Sequence, residues 1–293
     1  MAKPSQPKIL VAVPAYNEGK YIGTVVLKTR QYADEVIVLD DGSTDDTSEI
    51  ARLAGATVIR HEENKGKGAA IRSILAEVKR KDHDVLVLID ADFQHEPEEI
   101  PLLIEPIWRG SDLVIGSREL QRSNIPLYRR IGQKVLLYST HILSGKRLSD
   151  SECGFRALSP RAVTELKLSQ GGFAIEAEMI AAAAEKGLKV TQVPISAIYT
   201  KDGSTLNPIR HGFGVLAQIL AMISQRRPLF FFGLGGGILV ALGLVASVRT
   251  LYVFSVEGII PTGTTLLSVL LLTIGIFSIF TGIILHTLAR RKG

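Results

Sequence analysis

The sequence predicts an α/β domain with a mostly parallel sheet flanked by helices, followed by an interfacial helix and two transmembrane helices. In the first two thirds of the chain, short apolar runs typical of buried strands alternate with helical patterns. Two stretches of 20 uncharged residues follow, 229–248 and 266–285, each long enough to cross a hydrocarbon core of about 30 Å. We therefore expect a globular domain over 1–206, an amphipathic juxtamembrane helix over 207–228 and a transmembrane hairpin over 229–293. The apolar residues of 207–228 share one helical face, which suits either the membrane interface or packing on the globular domain.

The predicted strands are short runs rich in Val, Ile and Leu, as expected for strands buried on both faces. They cover residues 9–13, 36–39, 57–60, 85–89, 113–115 and 189–194. Helical spacing of apolar residues predicts the helices, and Pro97 with the acidic residues beside it marks one helix start. The predicted helices cover 19–32, segments ending at 54 and 78, a segment from 97 onward, 126–143 and 173–186. Strands and helices alternating at this spacing imply a mostly parallel sheet in one domain.

Two carboxylates follow the strand predicted at 85–89. Because side chains alternate along a strand, Asp90 and Asp92 should point the same way, about 7 Å apart. Such a pair could share one hard divalent cation, with Gln94 or His95 as a third ligand, and the cation could bridge the phosphates of a nucleotide. An isolated Asp-X-Asp pair can also be no more than a solvated acidic turn.

Two further loops carry residues suited to a nucleotide. The acidic turn at 40–45 follows the second strand and could accept hydrogen bonds from a base or ribose, although it could also be only a capped loop. Two glycines and two lysines at 65–68 open a helix, where free N–H groups and ammonium groups both favour a diphosphate or base contact. The spacing of a P-loop is absent there.

The charge balance argues against nucleic acid as a partner. The net charge is +5, but six of the 34 basic and one of the 29 acidic residues lie from Arg226 onward, so residues 1–225 are neutral. The excess positive charge therefore flanks the apolar stretches, as in membrane proteins.

Cys153 is the single cysteine of the chain, which excludes an internal disulfide and fits a reducing compartment. No histidine partner is suggested nearby, and a cysteine without such a partner is rarely a nucleophile. We therefore expect Cys153 to be a packing residue.

Basic residues around the two spans predict their orientation. Arginines 226–227 precede the first span and the basic residues 290–292 follow the second, whereas the loop 255–265 contains Glu257 and no lysine or arginine. Because cytoplasmic flanks carry the excess of Lys and Arg, both chain ends and the globular domain are predicted to be cytoplasmic, in a multi-pass protein of the cell membrane. Arg249, on the far side, departs from this rule.

Six motifs occur in order along the chain. They are Pro-Ala-Tyr-Asn-Glu (14–18), Asp-Asp-Gly-Ser-Thr-Asp (40–45), Asn-Lys-Gly-Lys-Gly-Ala-Ala (64–70), Asp-Ala-Asp-Phe-Gln-His (90–95), Gly-Ser-Arg (116–118) and Asp-Ser-Glu-Cys-Gly-Phe-Arg (150–156). With this combination the chain resembles the family 2 glycosyltransferases of GT-A fold, and within them the polyprenyl-phosphate (dolichyl-phosphate) hexosyltransferases. The resemblance covers residues 7–205.

The resemblance implies transfer of a hexose, with inversion at the anomeric carbon, from a nucleotide sugar to a polyprenyl or dolichyl phosphate in the membrane. GDP-mannose, UDP-glucose and UDP-N-acetylhexosamine are the candidate donors. A divalent cation, Mg²⁺ or Mn²⁺, is implied at Asp90 and Asp92, with Gln94 as the third ligand. Membrane lipids are the remaining partners, and self-association of the chain is left open.

The same resemblance implies roles for individual residues. Those expected to hold the nucleotide sugar are Pro14, Tyr16, Glu18, Asp41, Lys67, Asp90, Ala91 and Asp92. Those expected to face phosphates of the acceptor are Arg118, Arg130 and Lys201. The catalytic group would be Asp92, Arg118, Arg130 and Asp150. The segment 199–204 lacks the arginine that such families often show there, so Lys201 departs from the pattern.

A lipid phosphate as acceptor would need no general base. Its second pKa of about 6 leaves it anionic near pH 7, so no proton has to be removed. Asp150 lies where a base would otherwise be expected, and we expect it to orient arginines or the sugar instead.

Other functions remain open at this point. A processive polysaccharide synthase, or another transferase with a hydroxyl acceptor, could share the fold. A processive synthase would be expected to carry a Gln-X-X-Arg-Trp motif and more spans, whereas the single tryptophan here is Trp108. A dehalogenase-type phosphatase also uses Asp-X-Asp, but normally on its first strand. A non-catalytic membrane protein that only binds nucleotides would tolerate loss of the metal site.

Overall fold

The computed structural model describes residues 7–118, 148–169, 175–196 and 227–290, together with scattered positions between these ranges. The chain divides into two compact units, Met1–Ile219 and Leu220–Gly293. The first unit holds all the strands of the described residues, and the second holds two long helices. The predicted interfacial helix over 207–228 and most of the predicted helix over 126–143 lie outside the described residues. The predicted boundaries near 206 and 228 therefore stay a prediction.

The described part of the first unit is built on a seven-stranded sheet. Its strands are β1 (Ile9–Ala15), β2 (Glu35–Asp40), β3 (Thr57–Arg60), β4 (Val85–Leu88), β5 (Leu113–Ser117), β6 (Arg156–Leu158) and β7 (Val190–Pro194). They lie in the order β3-β2-β1-β4-β6-β5-β7. All neighbouring pairs are parallel except those of β6, which runs antiparallel to both β4 and β5.

Six α-helices and one 3₁₀ turn accompany the sheet among the described residues. The helices are α1 (Ile22–Thr29), α2 (Thr47–Leu53), α3 (Lys67–Val78), α4 (Ile100–Trp108), α5 (Pro160–Glu165) and α6 (Ile175–Glu185), and the 3₁₀ turn is Pro97–Glu99. Their inward faces are apolar. In α3, for example, Ile71, Ile74 and Val78 recur at helical spacing and are buried.

The core lies along the central strands. Every residue of β4 and β5 is buried, and so are four consecutive residues of β1. Because neighbouring residues of a strand point to opposite faces, continuous burial means that both faces of the sheet are covered. This accounts for the unbroken apolar runs in the sequence and confirms the predicted α/β fold with a mostly parallel sheet.

The region 150–165 differs from the prediction. The motif 150–156, expected to be a loop, ends in β6, and neither β6 nor α5 was predicted. Strand β6 has only three residues, Arg156–Leu158, and all three are buried although the first is an arginine. A run this short, containing a charge, offers no periodicity to recognise.

The second unit contains helices long and apolar enough to cross a membrane. Helix α7 covers Pro228–Glu257 and α8 covers Thr262–Arg290, so both extend beyond the predicted spans. Most of their large apolar side chains are exposed, which suggests membrane association rather than a role as core helices. The two helices contact each other closely where Gly236 meets Gly275, because a Cβ on Gly236 would lie 2.6 Å from the Gly275 carbonyl oxygen.

Candidate active site

The candidate site lies at the carboxyl edge of the sheet. Strands β1, β2, β4 and β5 are parallel, so the loops that follow them meet at the same edge. Open α/β sheets bind ligands at this edge. Five of the six sequence motifs contribute to these loops or to the loop before β6, and the sixth opens α3.

The loop after β1 is fixed by the loop after β2. The backbone N–H of Asn17 donates to Ser43 Oγ at 2.9 Å, and that of Glu18 donates to Thr47 Oγ1 at 2.9 Å. Asn17 has a φ of 54°, which a non-glycine residue adopts only where its surroundings hold it. Tyr16, in the same loop, is 44% exposed and is therefore accessible to a ligand.

Asp41 organises the segment that opens α3. Its carboxylate accepts the backbone N–H groups of Lys65 (3.0 Å) and Gly66 (2.7 Å), and His61 Nδ1 lies 2.6 Å from Asp41 Oδ1. The other ring nitrogen of His61 lies 2.9 Å from Ser73 Oγ in α3. This partly buried network joins the loop after β2, the loop after β3 and helix α3, so it sets where the α3 N-terminus lies.

The carboxylates Asp90 and Asp92 lie in a turn and not on a strand. Strand β4 ends at Leu88, so the alternation of strand side chains, from which we expected Asp90 and Asp92 to point the same way, does not apply to them. The turn is tight because Phe93 has a φ of 57°, and the N–H of Gln94 donates to Asp92 Oδ1 at 3.1 Å. Backbone strain of this kind is common at functional sites.

Lys67 connects the Asp90 turn to α6. Its Nζ lies 2.8 Å from Asp90 Oδ1 and also 2.8 Å from Oε1 of the buried Glu176. Burial opposes the charge of Lys67, but the two carboxylates raise its pKa above the ordinary value. Burial also opposes the ionised form of Asp90. The positive charge of Lys67 outweighs this effect of burial, so the pKa of Asp90 is lowered. Lys67 and Asp90 are therefore both charged at neutral pH.

Two neighbouring carboxylates lack such compensation. Burial, with the nearby charge of Asp90, raises the pKa of Asp92 to about 6. Burial, with the charges of Asp92, Asp45 and Asp90, raises the pKa of Glu18 to about 7. The part of each rise that comes from neighbouring carboxylates indicates a cluster of acids that would attract a cation.

These residues fit a divalent cation. Within the ranges that the structure describes, no three His, Cys, Asp or Glu side chains come together as a complete metal site. A Mg²⁺-type ion needs no such cage, because it is commonly held by one or two carboxylates and completed by substrate phosphates and water. Asp90 and Asp92, with an uncompensated negative charge between them, are ligands of this type, and the side chain of Gln94 follows in the same turn.

Arg118 and Asp150 form the second charged pair of the site. Arg118 Nε lies 2.6 Å from Asp150 Oδ2 and Nη2 lies 3.0 Å from Oδ1, so the carboxylate accepts both bonds side by side. Burial opposes both charges, but the pairing raises the pKa of Arg118 and lowers that of Asp150. Glu152 lies beside this pair, and burial together with the charge of Asp150 raises the pKa of Glu152 to about 7.

A buried arginine supports the loop behind these residues. Arg156 is 1% exposed and donates to three backbone carbonyls, those of Ser151 (2.9 Å), Cys153 (2.8 Å) and Glu176 (2.9 Å). In the same loop, Gly154 approaches Asp90 so closely that a Cβ on Gly154 would lie 2.3 Å from Asp90 Oδ2. The loop therefore forms the wall against which Asp90 rests.

The expectation that Cys153 has no histidine nearby is wrong. His95 Nε2 lies 3.9 Å from Cys153 Sγ, and both side chains are buried. Burial lowers the pKa of His95 to about 4 and raises that of Cys153 to about 12, so neither is charged at neutral pH. A protonated, buried thiol packs and does not attack a substrate.

The structure brings most of the predicted site residues to one edge, but it does not describe all of them. Arg130 and Lys201, both predicted at the acceptor phosphate, lie outside the described residues. Glu176, Gly154 and Arg156 were not predicted as site residues. A signal for Glu176 did exist, since an acid within an otherwise apolar helical run is unusual unless it has a buried partner.

Known proteins resemble this chain in sequence and in structure. A family model described as "Glycosyl transferase family 2" matches residues 10–165, more than half of the chain. Glycosyltransferase AglJ of Haloferax volcanii is 30% identical over 267 residues, which cover 87% of this chain and 85% of that protein. The UDP-N-acetylglucosamine–dolichyl-phosphate N-acetylglucosaminyltransferase of Methanococcus voltae is 34% identical over 218 residues, covering 66% of this chain and 86% of that one. A crystal structure of glucosyl-3-phosphoglycerate synthase from Mycobacterium tuberculosis, in complex with Mn²⁺ and UDP-glucose, superposes with a TM-score of 0.60 at 26% identity, over 76% of this chain and 79% of that one.

Proposed function

Because this chain belongs to glycosyl transferase family 2 and is a glycosyltransferase, we propose that it transfers a hexose from a nucleotide sugar to a polyprenyl phosphate held in the membrane. The relatives named as dolichyl-phosphate or polyprenyl-phosphate sugar transferases support this acceptor class. The product would be a sugar joined to the lipid through a phosphodiester, with inverted configuration at the anomeric carbon.

The donor would bind at the loops after β1, β2 and β4. The exposed ring of Tyr16 and the network around Asp41 are suited to the nucleoside, and Asp90 and Asp92 would hold Mg²⁺ or Mn²⁺. When bound, the cation would neutralise charge on the leaving diphosphate. The crystal structure of the solved relative with Mn²⁺ and UDP-glucose supports a cation at this kind of site. Asp92 would lose its proton as the cation binds, because its pKa of about 6 leaves it partly protonated in mildly acidic solution.

The pairing of Arg118 with Asp150 is the observation that favours a phosphate acceptor over a hydroxyl acceptor. A hydroxyl acceptor must lose a proton to a base, and Asp150 is a poor base because Arg118 engages both of its oxygens and lowers its pKa. A phosphate acceptor needs no base, and it gains from a guanidinium that stays charged at all physiological pH values. Asp150 would therefore hold Arg118 toward the lipid phosphate, and Arg130 and Lys201 are proposed to contribute further positive charge there.

One observation favours a second candidate, transfer to a hydroxyl group. Glu152 is half-buried beside Asp150, and its pKa, raised to about 7, is suited to a general base. A Glu152→Gln variant separates the two functions. Loss of transfer to a lipid alcohol would support the second, whereas retained transfer to polyprenyl phosphate supports the first.

The proposed location follows from helices α7 and α8. Both are long enough to cross the bilayer, and the basic residues at their outer ends favour a cytoplasmic catalytic domain. A membrane-held acceptor and a cytoplasmic nucleotide sugar would then meet at the same surface.

The test of this function is transfer of radiolabelled sugar from a panel of nucleotide sugars to polyprenyl phosphate, by the purified protein in detergent. Asp92→Asn should abolish transfer and weaken Mn²⁺ binding, because it removes a charged oxygen ligand from a hard-cation site. Asp82→Asn serves as the control, since Asp82 is a fully exposed partner of Lys8 on the surface. Wild-type turnover by Asp92→Asn, or full activity in excess chelator, would refute the metal site.

A further inference from the structure

Glu176 is a buried carboxylate that none of the predicted donor and acceptor contacts involves. It lies in the first turn of α6 and is 3% exposed. Its Oε1 lies 2.8 Å from Lys67 Nζ, and apart from this ion pair neither of its carboxylate oxygens has a hydrogen-bond partner among the described residues. Burying a charge is costly to the fold, and a buried ion pair is often no more stabilising than apolar side chains of similar volume. Its position therefore suggests a role at the site.

Glu176 shares Lys67 with Asp90. The two carboxylates lie at the same distance, 2.8 Å, from the single ammonium. An ammonium carries three donors and no acceptor, so Lys67 can bond to both carboxylates at once. Its charge is divided between a carboxylate proposed to bind the donor cation and one that lies behind it.

The buried Arg156 contacts the backbone of Glu176 and the backbone of the loop beside Asp90. Arg156 donates to the backbone carbonyl of Glu176 at 2.9 Å and to that of Cys153 at 2.8 Å. Cys153 adjoins Gly154, whose backbone forms the wall behind Asp90. These contacts tie the backbone of Glu176 to the loop behind Asp90, and both carboxylates lie within ion-pair distance of Lys67.

We propose that Glu176 is a positioning residue that draws part of the Lys67 charge away from Asp90 and so keeps Asp90 available to a divalent cation. The inference rests on the proposed function, because it concerns the cation of the donor complex. An ammonium and a divalent cation compete for one carboxylate, since each is attracted by the same oxygens. Without the charge of Glu176, the balance of attraction on Lys67 shifts toward Asp90, and the cation meets a stronger competitor.

The test is binding of Mn²⁺ alone to the full-length protein in detergent. Electron paramagnetic resonance measures the Mn²⁺ that stays free, and the bound fraction follows from it. Glu176→Gln keeps the shape of the side chain and removes its charge, and it should weaken Mn²⁺ binding by about tenfold or more, the effect of losing one charged hydrogen bond. Glu178→Gln is the matched control, because Glu178 is an equally buried acid on the same helix that accepts the N–H and hydroxyl of Ser169 instead. It should change thermal stability without changing the Mn²⁺ affinity.

A double variant, Lys67→Met with Glu176→Met, removes the competitor together with its second partner. It should bind Mn²⁺ at least as tightly as the wild type, which a merely structural role of Glu176 would not predict. This variant also provides the test if Glu176→Gln fails to fold, because Lys67 and Glu176 are removed together and the side chain of the remaining Asp90 is 25% exposed.

The outcomes separate this inference from the function it rests on. Mn²⁺ binding that is lost in Asp92→Asn but unchanged in Glu176→Gln would overturn the role of Glu176 and leave the metal site intact. A double variant that binds Mn²⁺ more weakly than the wild type would overturn it as well. Absence of Mn²⁺ binding by the wild type would overturn the proposed metal site, and this inference with it.

Discussion

Replacing Gly154 by alanine should disable the site through a single methyl group. A Cβ on Gly154 would lie 2.3 Å from Asp90 Oδ2 and 2.7 Å from Asp90 Cγ. Because non-bonded atoms need roughly 3.3 Å or more, the carboxylate would have to move by about 1 Å. The movement would disturb its 2.8 Å contact with Lys67 and displace one proposed cation ligand.

The size of the effect follows from this displacement. A misplacement of about 1 Å in a catalytic arrangement costs about 100-fold in rate, which corresponds to about 2.7 kcal/mol of transition-state stabilisation. Overpacking at a buried position should also destabilise the fold by about 1–3 kcal/mol. The loss of rate at a temperature where the variant is fully folded is therefore the quantity of interest.

The assay is kcat/KM for sugar transfer, together with the melting temperature and the Kd for Mn²⁺. Gly23→Ala is the control, because Gly23 lies in helix α1, away from the site. Its added Cβ would meet only Ile50 Cγ2, at 3.0 Å. Gly23→Ala should keep the wild-type rate, whereas Gly154→Ala should lose about 100-fold and bind Mn²⁺ more weakly. A folded Gly154→Ala protein with wild-type kcat/KM would refute the view that Asp90 must rest against this glycine.

Three further predictions follow from the charges of the site and from the spans. Because the pKa of Asp92 is raised to about 6, a proton occupies this carboxylate at lower pH, so Mn²⁺ affinity should fall as the pH drops below about 6 and level off above it; an affinity independent of pH would contradict its role as a ligand. Asp150→Asn should release Arg118 and raise the KM for polyprenyl phosphate by about 10- to 100-fold, the effect of losing a charged hydrogen bond. The KM for the donor should change little, and an equal effect on both substrates would contradict a role at the acceptor. Cysteines at Ser5 and Thr262, in a Cys153→Ser background, should differ on intact cells, with an impermeant reagent labelling only the one at position 262; labelling at position 5 alone would reverse the proposed orientation.

Most of the fold could be predicted from the sequence because its strands are buried on both faces. Residues 36–39 and 85–88 read as unbroken apolar runs, and such runs carry a strong signal. Strand β6 could not be predicted, because it is three residues long and begins with the buried Arg156. Its place between β4 and β5 is set by contacts distant in sequence, which a local pattern does not contain.

The candidate site could be predicted in part, for the same reason. Asp90, Asp92 and Glu18 follow predicted strands, and the carboxyl edge of a parallel sheet brings such residues together. The sharing of Lys67 between Asp90 and Glu176 could not be predicted, because the three residues lie on separate elements far apart in the sequence. The close approach of Gly154 to Asp90 depends on the same antiparallel strand that the sequence did not reveal.

The most direct test of the proposed function is the chemical linkage of the product formed from polyprenyl phosphate, compared with the outcome for the free polyprenol. If the acceptor phosphate is the nucleophile, the lipid phosphate should yield a sugar phosphodiester that mild acid cleaves. The free polyprenol should not be glycosylated, since it lacks both the negative charge that Arg118 would bind and an ionised oxygen. Efficient transfer to polyprenol, with the sugar joined to the lipid through a glycosidic bond that contains no phosphate, would show instead that this glycosyltransferase uses a hydroxyl acceptor.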